Sequence, residues 1–498
     1  MLQPWYVLQR PLQGRTGSSI FQALYGLPNA GRYQKISDQW QTLAVLLESP
    51  YPLPPDLPQS RVARYSLCAG PPRYQGGRLQ LWTPSVGEIL PMLSARLSTE
   101  KPAFMLLDDT GQPLEVSLGP FSGGWFGWLG YDLAWEIERL PTLKRDPLPF
   151  PVAFWYEPET FVVLDHHQQQ LWLAATDPRS LEIMATVLAT ANLGEPETSV
   201  FMATNLIFGS SQATYESAVQ QAQRYIEAGD IFQANLSLRF STQTEADSWS
   251  IYRRLQTINP SPFASYWRTP WGALISCSPE RLVSLQGDRA ETRPIAGTRS
   301  RGGTSQQDQS LAADLCTDAK ERAEHIMLVD LERNDLGRVC TWGTVHVDEF
   351  MTLEPYSHVM HLVSNIVGNL APRKNAIALI QAVFPGGTIT GCPKVRCMEI
   401  IELLEPVRRN LFYGSCGYLD YRGNLDLNIL IRTLLWTRGQ TSDMSVVSGQ
   451  VGAGIVADSQ PQQEWHESLQ KAKAQLLAMG MNVELLENDF PLLHKCYV

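Results

Sequence analysis

Sequence-paired cysteines, excess basic charge and long apolar runs are all scarce in this chain, and each shortage removes a class of protein. The eight cysteines (Cys68, Cys277, Cys316, Cys340, Cys392, Cys397, Cys416 and Cys496) include no C-x-x-C spacing. That disfavours zinc sites and a disulfide framework and predicts a reducing compartment. No stretch approaches the ~18 apolar residues of a membrane span. The opening MLQPWYVLQRPLQGR lacks the basic-then-apolar pattern of a secretory signal, so a cytoplasmic protein with no membrane partner is expected. Lysine and arginine total 40 against 50 aspartates and glutamates, a net charge of −10. Nucleic acid is therefore not an expected partner, and an anionic ligand must be held by local features against the global field.

What is present describes a packed globular chain. Hydrophobic residues make up 44% of the 498 and charged residues 18%, enough for two or three ordinary domains. Residues 1–200 read as one unit, rich in proline, glycine and aromatics, with strand-like runs at FVVLD (161–165) and QLWLA (170–174). Periodicity fades over residues 191–212, and a second unit spans residues 213–485. There, Tyr215–Ala228 reads as a helix capped by Thr214 and ended by Gly229. In IFQANLSLRF the apolar Phe232, Ala234, Leu236, Leu238 and Phe240 alternate with Gln233, Asn235, Ser237 and Arg239, which predicts a strand with one polar face. Strands are expected at 271–276, 281–285 and 418–420, and helices at 318–331 and 395–404. Strands and helices mix without strict alternation, which points to an α+β (mixed α/β) fold and away from a doubly wound parallel sheet.

The stretch GQVGAGIVADSQPQQEWHESLQKAKAQLLAMG (449–480) organises the rest. It reads as a strand and small-residue turn leading into a helix. Gly452 and Gly454 leave backbone amides bare, open to close approach by an anion. On the helix, Glu464, Glu467 and Lys471 fall within a stripe about 60° wide. Trp465, Leu469, Ala472, Leu476 and Met479 form a separate, core-facing stripe. Two carboxylates and an ammonium beside bare amides suit a divalent cation held together with an anionic ligand; a solvated ion pair is the plainer alternative.

Other segments carry further candidates. Glu324 and His325 lie in DAKERAEHIMLVDL, and PIAGT (294–298) supplies a small-residue turn that admits a ligand. His361 in YSHVMHLVS has apolar neighbours, which suit a core histidine as well as a catalytic one. FPGGTITGCPK lacks the spacing of a P-loop, so nucleotide binding is not expected.

SPER, PIAGT, ERAEH, VMHLVS, GGTITGCPKVR, GNLDLNILIRT and GAGIVADS occur in one order. As a set they resemble the chorismate-utilising enzymes, in particular the large subunits (component I) of anthranilate synthase and aminodeoxychorismate synthase. The resemblance implies two sheets packed face to face with helices outside and a Mg²⁺-dependent site on chorismate. It implies Glu324 and Glu467 as metal ligands with Glu464 beside them. Arg432, Lys471 and the amides at Gly452 and Gly454 would grip carboxylates, along with the Ala296–Gly297–Thr298 turn and the hydroxyl of Thr388. Glu280 of SPER would be the acid that protonates the departing C4 hydroxyl, and His361 a proton-transfer or stabilising group.

Two positions bear on the nucleophile. Family members that add water carry a lysine base at the place of Gln233; glutamine takes no proton at neutral pH, which points to ammonia. Many aminodeoxychorismate synthases carry a nucleophilic lysine at the place of Ala296, so alanine favours direct attack at C2 and anthranilate with pyruvate as products. FPGGTITG, NPSPFASYW and LDLNILIRT lean the other way, which keeps aminodeoxychorismate synthase as the alternative. Phe412 stands where a tyrosine often contacts substrate. LLES (Leu46, Leu47, Glu48, Ser49) resembles the family's tryptophan-binding motif. No cysteine sits in a glutaminase-type nucleophile elbow, so a separate glutamine amidotransferase subunit is the expected ammonia source. A non-catalytic tryptophan-binding or partner-regulating subunit is the rival of a different class.

Overall fold

The computed structural model describes residues 5–26, 39–49, 63–98, 106–108, 112, 119–191, 201–355, 359–439 and 444–481. Part of the 191–212 junction and Cys496 lie outside them. Two large, mainly antiparallel sheets dominate, of thirteen and ten strands among the described residues. In the larger sheet the Gln233–Thr244 strand pairs along its whole length with Ser445–Ile455, a non-local contact of the kind that alternating apolar residues on both strands can reward. Further across, Phe263–Thr269 pairs with Ala44–Glu48, Ala264 opposite Glu48. In the smaller sheet Ser415–Asp420 pairs with Gly124–Leu129. Both sheets thus draw strands from before and after residue 200.

The sheets meet over an aromatic core. Trp128 of the smaller sheet packs edge-on against Trp267 of the larger, ring centroids 5.5 Å apart, and Phe121 against Phe161 at 5.0 Å. Large edge-to-face rings fill the space between pleated surfaces at low conformational cost. A second core covers the outer face of the larger sheet, where helices Gly17–Tyr25, Gln212–Glu227, Ser248–Ile258 and Pro461–Ala478 bury their apolar stripes. Trp465, Leu469, Ala472, Leu476 and Met479 are all buried there, as the helical spacing predicts. Among the described residues no helix is long and apolar enough to cross a membrane.

Local differences have local causes. The helix expected at 215–228 spans Gln212–Glu227, because Ser211 rather than Thr214 accepts the capping N–H, from Thr214 at 3.2 Å. Phe232 is 70% exposed: it precedes the strand, whose ladder begins at Gln233. The long helix runs on to Ala319–Gly337, with Asp318 accepting from Lys320 N and Glu321 N at its start.

Candidate active site

The polar face of the Gln233–Thr244 strand sets the floor of the site. Ala234, Leu236, Leu238 and Phe240 are buried in the core, so Gln233, Asn235 and Ser237 project to the opposite face. Gln233 is itself buried; its Nε2 donates to Glu324 Oε1 at 3.1 Å. Its Oε1 has no hydrogen-bond partner among the described residues, and neither has Asn235 Oδ1. Buried polar atoms are seldom left unpaired except where a ligand or water completes them.

Two glycines complete this floor. Asn235 N donates to Thr390 O at 2.9 Å and Ser237 N to Glu405 Oε1 at 2.8 Å, both away from the Ser445–Ile455 strand. Their opposite residues, Gly454 and Gly452, therefore belong to non-hydrogen-bonded pairs and turn their amides to the outer side as well. On that side the Thr433–Thr437 strand reaches only as far as Gly449. Lys471 Nζ meets Gly452 O there at 2.9 Å. The glycines also make room: a Cβ on Gly454 would lie 2.3 Å from Gln233 Nε2 and 3.5 Å from Glu324 Oε1.

The carboxylates expected to hold a metal are electrostatic neighbours. Burial is the largest cause that raises the Glu324 pKa; the Gln233 hydrogen bond and Lys471 oppose it, while Glu321 and Glu467 add like-charge repulsion. Glu464 is buried and raised, by desolvation first, against a stabilising Ser459 contact. Glu467 is 53% exposed and pairs with Lys471 at 2.7 Å, which lowers its pKa. Among the described residues no three acidic, histidine or cysteine side chains are gathered into a ready-made cage. Mg²⁺ needs few protein carboxylates and keeps waters or ligand oxygens for the remainder. A half-buried Glu324 repelled by Glu467 and Glu321 is the donor set whose repulsion a divalent cation relieves, and the residues fit the ion to that extent.

Glu280 stands apart from these. It is buried, and desolvation pushes its pKa up to about 7. The Thr388 hydroxyl lies close enough to stabilise its charge, yet Glu280 Oε1 and Thr388 Oγ1 make no well-formed hydrogen bond. Such a carboxyl keeps its proton near neutrality. His361 is buried, and desolvation followed by the charge of Arg432 lowers its pKa to about 4, against a contact with the Gly297 backbone. It is therefore a neutral imidazole at pH 7. His361 stands opposite Thr298, and its neighbour Leu362 opposite Ala296, in the smaller sheet. Ala296 is buried and Gly297 has φ +72°, with Leu315 and Glu321 where a side chain would go. The Thr298 side chain lies outside the described residues.

Sequence reasoning passed over several neighbours. Asn235, two positions along the strand from Gln233, was legible by period two. Glu332 is buried near Glu280, its carboxyl pushed well up by desolvation; its place in a long charged helix gave no signal.

The LLES segment lies elsewhere. Leu47, Glu48 and Ser49 line a cavity of about 130 Å³ together with Phe263, Ala264 and Arg281. The Glu48 carboxylate, however, is taken up internally. It accepts from Ser18 N at 2.7 Å, Ser18 Oγ at 2.6 Å, Gln256 Nε2 at 2.6 Å and Tyr252 OH at 3.1 Å. An open depression of about 590 Å³ around Trp82, Glu88 and Met92 contains none of the residues singled out from the sequence.

Two mainly antiparallel sheets thus carry a buried acid held near neutrality and a neutral histidine beside an arginine. Residues 93–477 match the family described as chorismate binding enzyme, and the chain belongs to that family. It is 58% identical over 482 residues to the anthranilate synthase component I-like protein of Synechocystis, covering 96% of this chain and 92% of that one. It is 44% identical over 378 residues to aminodeoxychorismate synthase component 1 of Bacillus subtilis, covering 73% and 78%. The structure of anthranilate synthase component I from Streptococcus pneumoniae superposes with a TM-score of 0.69 at 30% identity, over 84% of this chain and 94% of that one.

Proposed function

We propose that this protein is the ammonia-using component of a chorismate aminase that yields anthranilate and pyruvate. The observation that carries the choice of nucleophile is Gln233: buried, bonded to Glu324 through Nε2, and unable to take a proton from water. Ammonia needs no such base. It attacks C2 of the ring while Glu280 gives its proton to the C4 hydroxyl, which leaves as water. A base then takes the C2 proton as the C3–O bond to the enolpyruvyl group breaks, so that the ring becomes aromatic and the released enol is protonated to pyruvate. Glu280 can serve because burial keeps it protonated near pH 7.

His361, neutral and beside Arg432, is suited to accept or relay a proton without adding positive charge. Arg432, Lys471 and the amides of Gly452 and Gly454 hold the carboxylates, with Ala296, Gly297, Thr298 and Thr388 around the ring. Glu324 and Glu467, with Glu464 beside them, would hold Mg²⁺, which when bound neutralises the ring carboxylate. Ammonia comes from a separate glutaminase subunit or from solution, and the setting is cytoplasmic. Leu47, Glu48 and Ser49 are proposed as the wall of a tryptophan site.

The second reading, aminodeoxychorismate synthase, is favoured by the 44% identity to the Bacillus subtilis protein of that name; the absence of a nucleophile at Ala296 weighs against it. Purified protein given chorismate, Mg²⁺ and ammonium salt should release fluorescent anthranilate. Accumulation of aminodeoxychorismate selects the second reading, and no consumption of chorismate removes both.

A further inference from the structure

Glu280 has a second buried acid near it that the reaction as described does not use. Glu332, on the helix Ala319–Gly337, is 8% exposed, and its Oε2 has no hydrogen-bond partner among the described residues. Neither have Thr292 Oγ1, Glu280 Oε1 and Thr388 Oγ1, which are buried atoms as well. Two carboxyls and two hydroxyls left open together are unusual in a protein interior. Each carboxyl has one of the hydroxyls close enough to ease its charge, Thr388 for Glu280 and Thr292 for Glu332.

The fold brings the two acids together from the sheet and from the helix. Arg281 stands opposite Arg293 in the smaller sheet, and the ladder runs on past Arg281, where Ile429 N donates to Glu280 O at 3.0 Å. Glu280 and Thr292 are therefore diagonal neighbours on one face. On the helix, Leu331 fills the space where a side chain on Gly387 would go, next to Thr388. Glu332 follows it and lies between that turn and Thr292, the two walls around Glu280. The other charged groups around Glu332 are Asp335 and Lys394, and these satisfy each other: Lys394 Nζ meets Asp335 Oδ2 at 2.6 Å and Val383 O at 3.0 Å. Helix Ala376–Val383, packed on the same helix, brings no ionisable residue. His325, two turns back, and His361 on the facing strand are neutral, and Arg299 is engaged with Asp314, Asp318 and Glu321. Desolvation pushes the Glu332 carboxyl well up, and the charge of Glu280 pushes it further. Glu280 thus ionises first, and Glu332 keeps its proton when it does.

We propose that Glu332 is a positioning residue for the reaction: its protonated carboxyl donates to Glu280, directly or across one water, as Glu280 gives its own proton to the leaving hydroxyl. The donor stabilises a carboxylate that this buried site otherwise disfavours. The O–H bond of Glu332 stays intact throughout, and Glu280 recovers a proton from solvent after product leaves. This rests on the reading of Glu280 as the acid in the chorismate aminase above.

Glu332→Leu removes the donor and puts an apolar side chain of similar size in a buried place, so the fold should hold; Glu332→Gln keeps a donor. Loss of a hydrogen bond to a charged acceptor predicts that Glu332→Leu lowers kcat by about 10- to 100-fold, with KM for chorismate within about twofold. Glu280 becomes a weaker acid, so the fall of kcat/KM at alkaline pH should move up by about one to two pH units. Glu332→Gln should keep kcat within about fivefold of the parent and that fall within about half a pH unit. A fall that stays in place or moves down in the leucine variant overturns the proposal. So do equal losses of kcat in the two variants, which mark a structural role, and a parent whose kcat/KM does not fall at alkaline pH, which removes Glu280 as the acid as well. A parent that consumes chorismate without making an aminated product, yet shows this split between its variants, keeps the Glu332 contact and removes the aminase reading.

Discussion

Replacing Glu280 by glutamine keeps the shape of the side chain and removes its proton. Burial raises the Glu280 pKa from the ordinary 4.5 to about 7, and that difference is worth about 3 kcal/mol between its two charge states. Two consequences can be measured on the same protein. A positioned general acid contributes about 100- to 10,000-fold, so Glu280→Gln should lower kcat by that range, with KM for chorismate changed little. In the parent, kcat/KM should fall as pH rises through about 7, because only the protonated carboxyl can supply the leaving hydroxyl. Stability follows the same titration. The group's folded pKa lies above its unfolded one, so its contribution is whole below about pH 4.5 and lost as pH rises through about 7. The parent should therefore lose up to about 3 kcal/mol between pH 5 and pH 8.5 relative to the variant, which calorimetric Tm values at the two pH values would show. A variant that keeps kcat within fivefold, or a parent with a flat profile from pH 6 to 9, refutes Glu280 as the acid.

Further outcomes test the neighbouring groups. Gly454→Ala places a methyl 2.3 Å from Gln233 Nε2; the amide must swing away from Glu324, so turnover should fall at least about tenfold at an overpacking cost of about 1–3 kcal/mol, read by steady-state kinetics and denaturant melts. Glu324→Gln and Glu467→Gln should each raise the Mg²⁺ concentration for half-maximal activity by about tenfold or more; an unchanged Mg²⁺ titration removes them as ligands. Glu48→Ala leaves the Ser18, Tyr252 and Gln256 donors without an acceptor, and at about 1–3 kcal/mol per buried orphan it should be visibly destabilised by differential scanning calorimetry even with tryptophan absent. Retention of the parent Tm would show that Glu48 is free to serve a ligand.

Much of this architecture could be read from local pattern, because local pattern is what amphipathic elements write into sequence. The alternation in IFQANLSLRF placed Gln233 on a polar face, and the structure buries that face between the sheet and Glu324. The spacing of Trp465, Leu469, Ala472, Leu476 and Met479 gave the inward side of the last helix, and with it the outer position of Glu467 and Lys471. Long-range pairing left no such trace. Nothing near Ala44–Glu48 announces that it pairs with Phe263–Thr269, since a strand's partner is set by the whole sheet. The strained Tyr413 and Arg432 were equally hidden, because positive φ at a bulky residue is imposed from outside it. Glu48 was legible only as part of a motif; its four donors from Ser18, Tyr252 and Gln256 left no trace in the sequence around it.

The central claim is that a pocket with Gln233 in place of a base and Glu280 as the acid delivers nitrogen, not oxygen, to the chorismate ring. Turnover with heavy-nitrogen ammonium in heavy-oxygen water, followed by mass spectrometry of the product, tests it most directly. The account predicts an aromatic amine that carries the heavy nitrogen, released with pyruvate and with no heavy oxygen bonded to the ring. A hydroxylated chorismate isomer carrying heavy oxygen at C2 would contradict it.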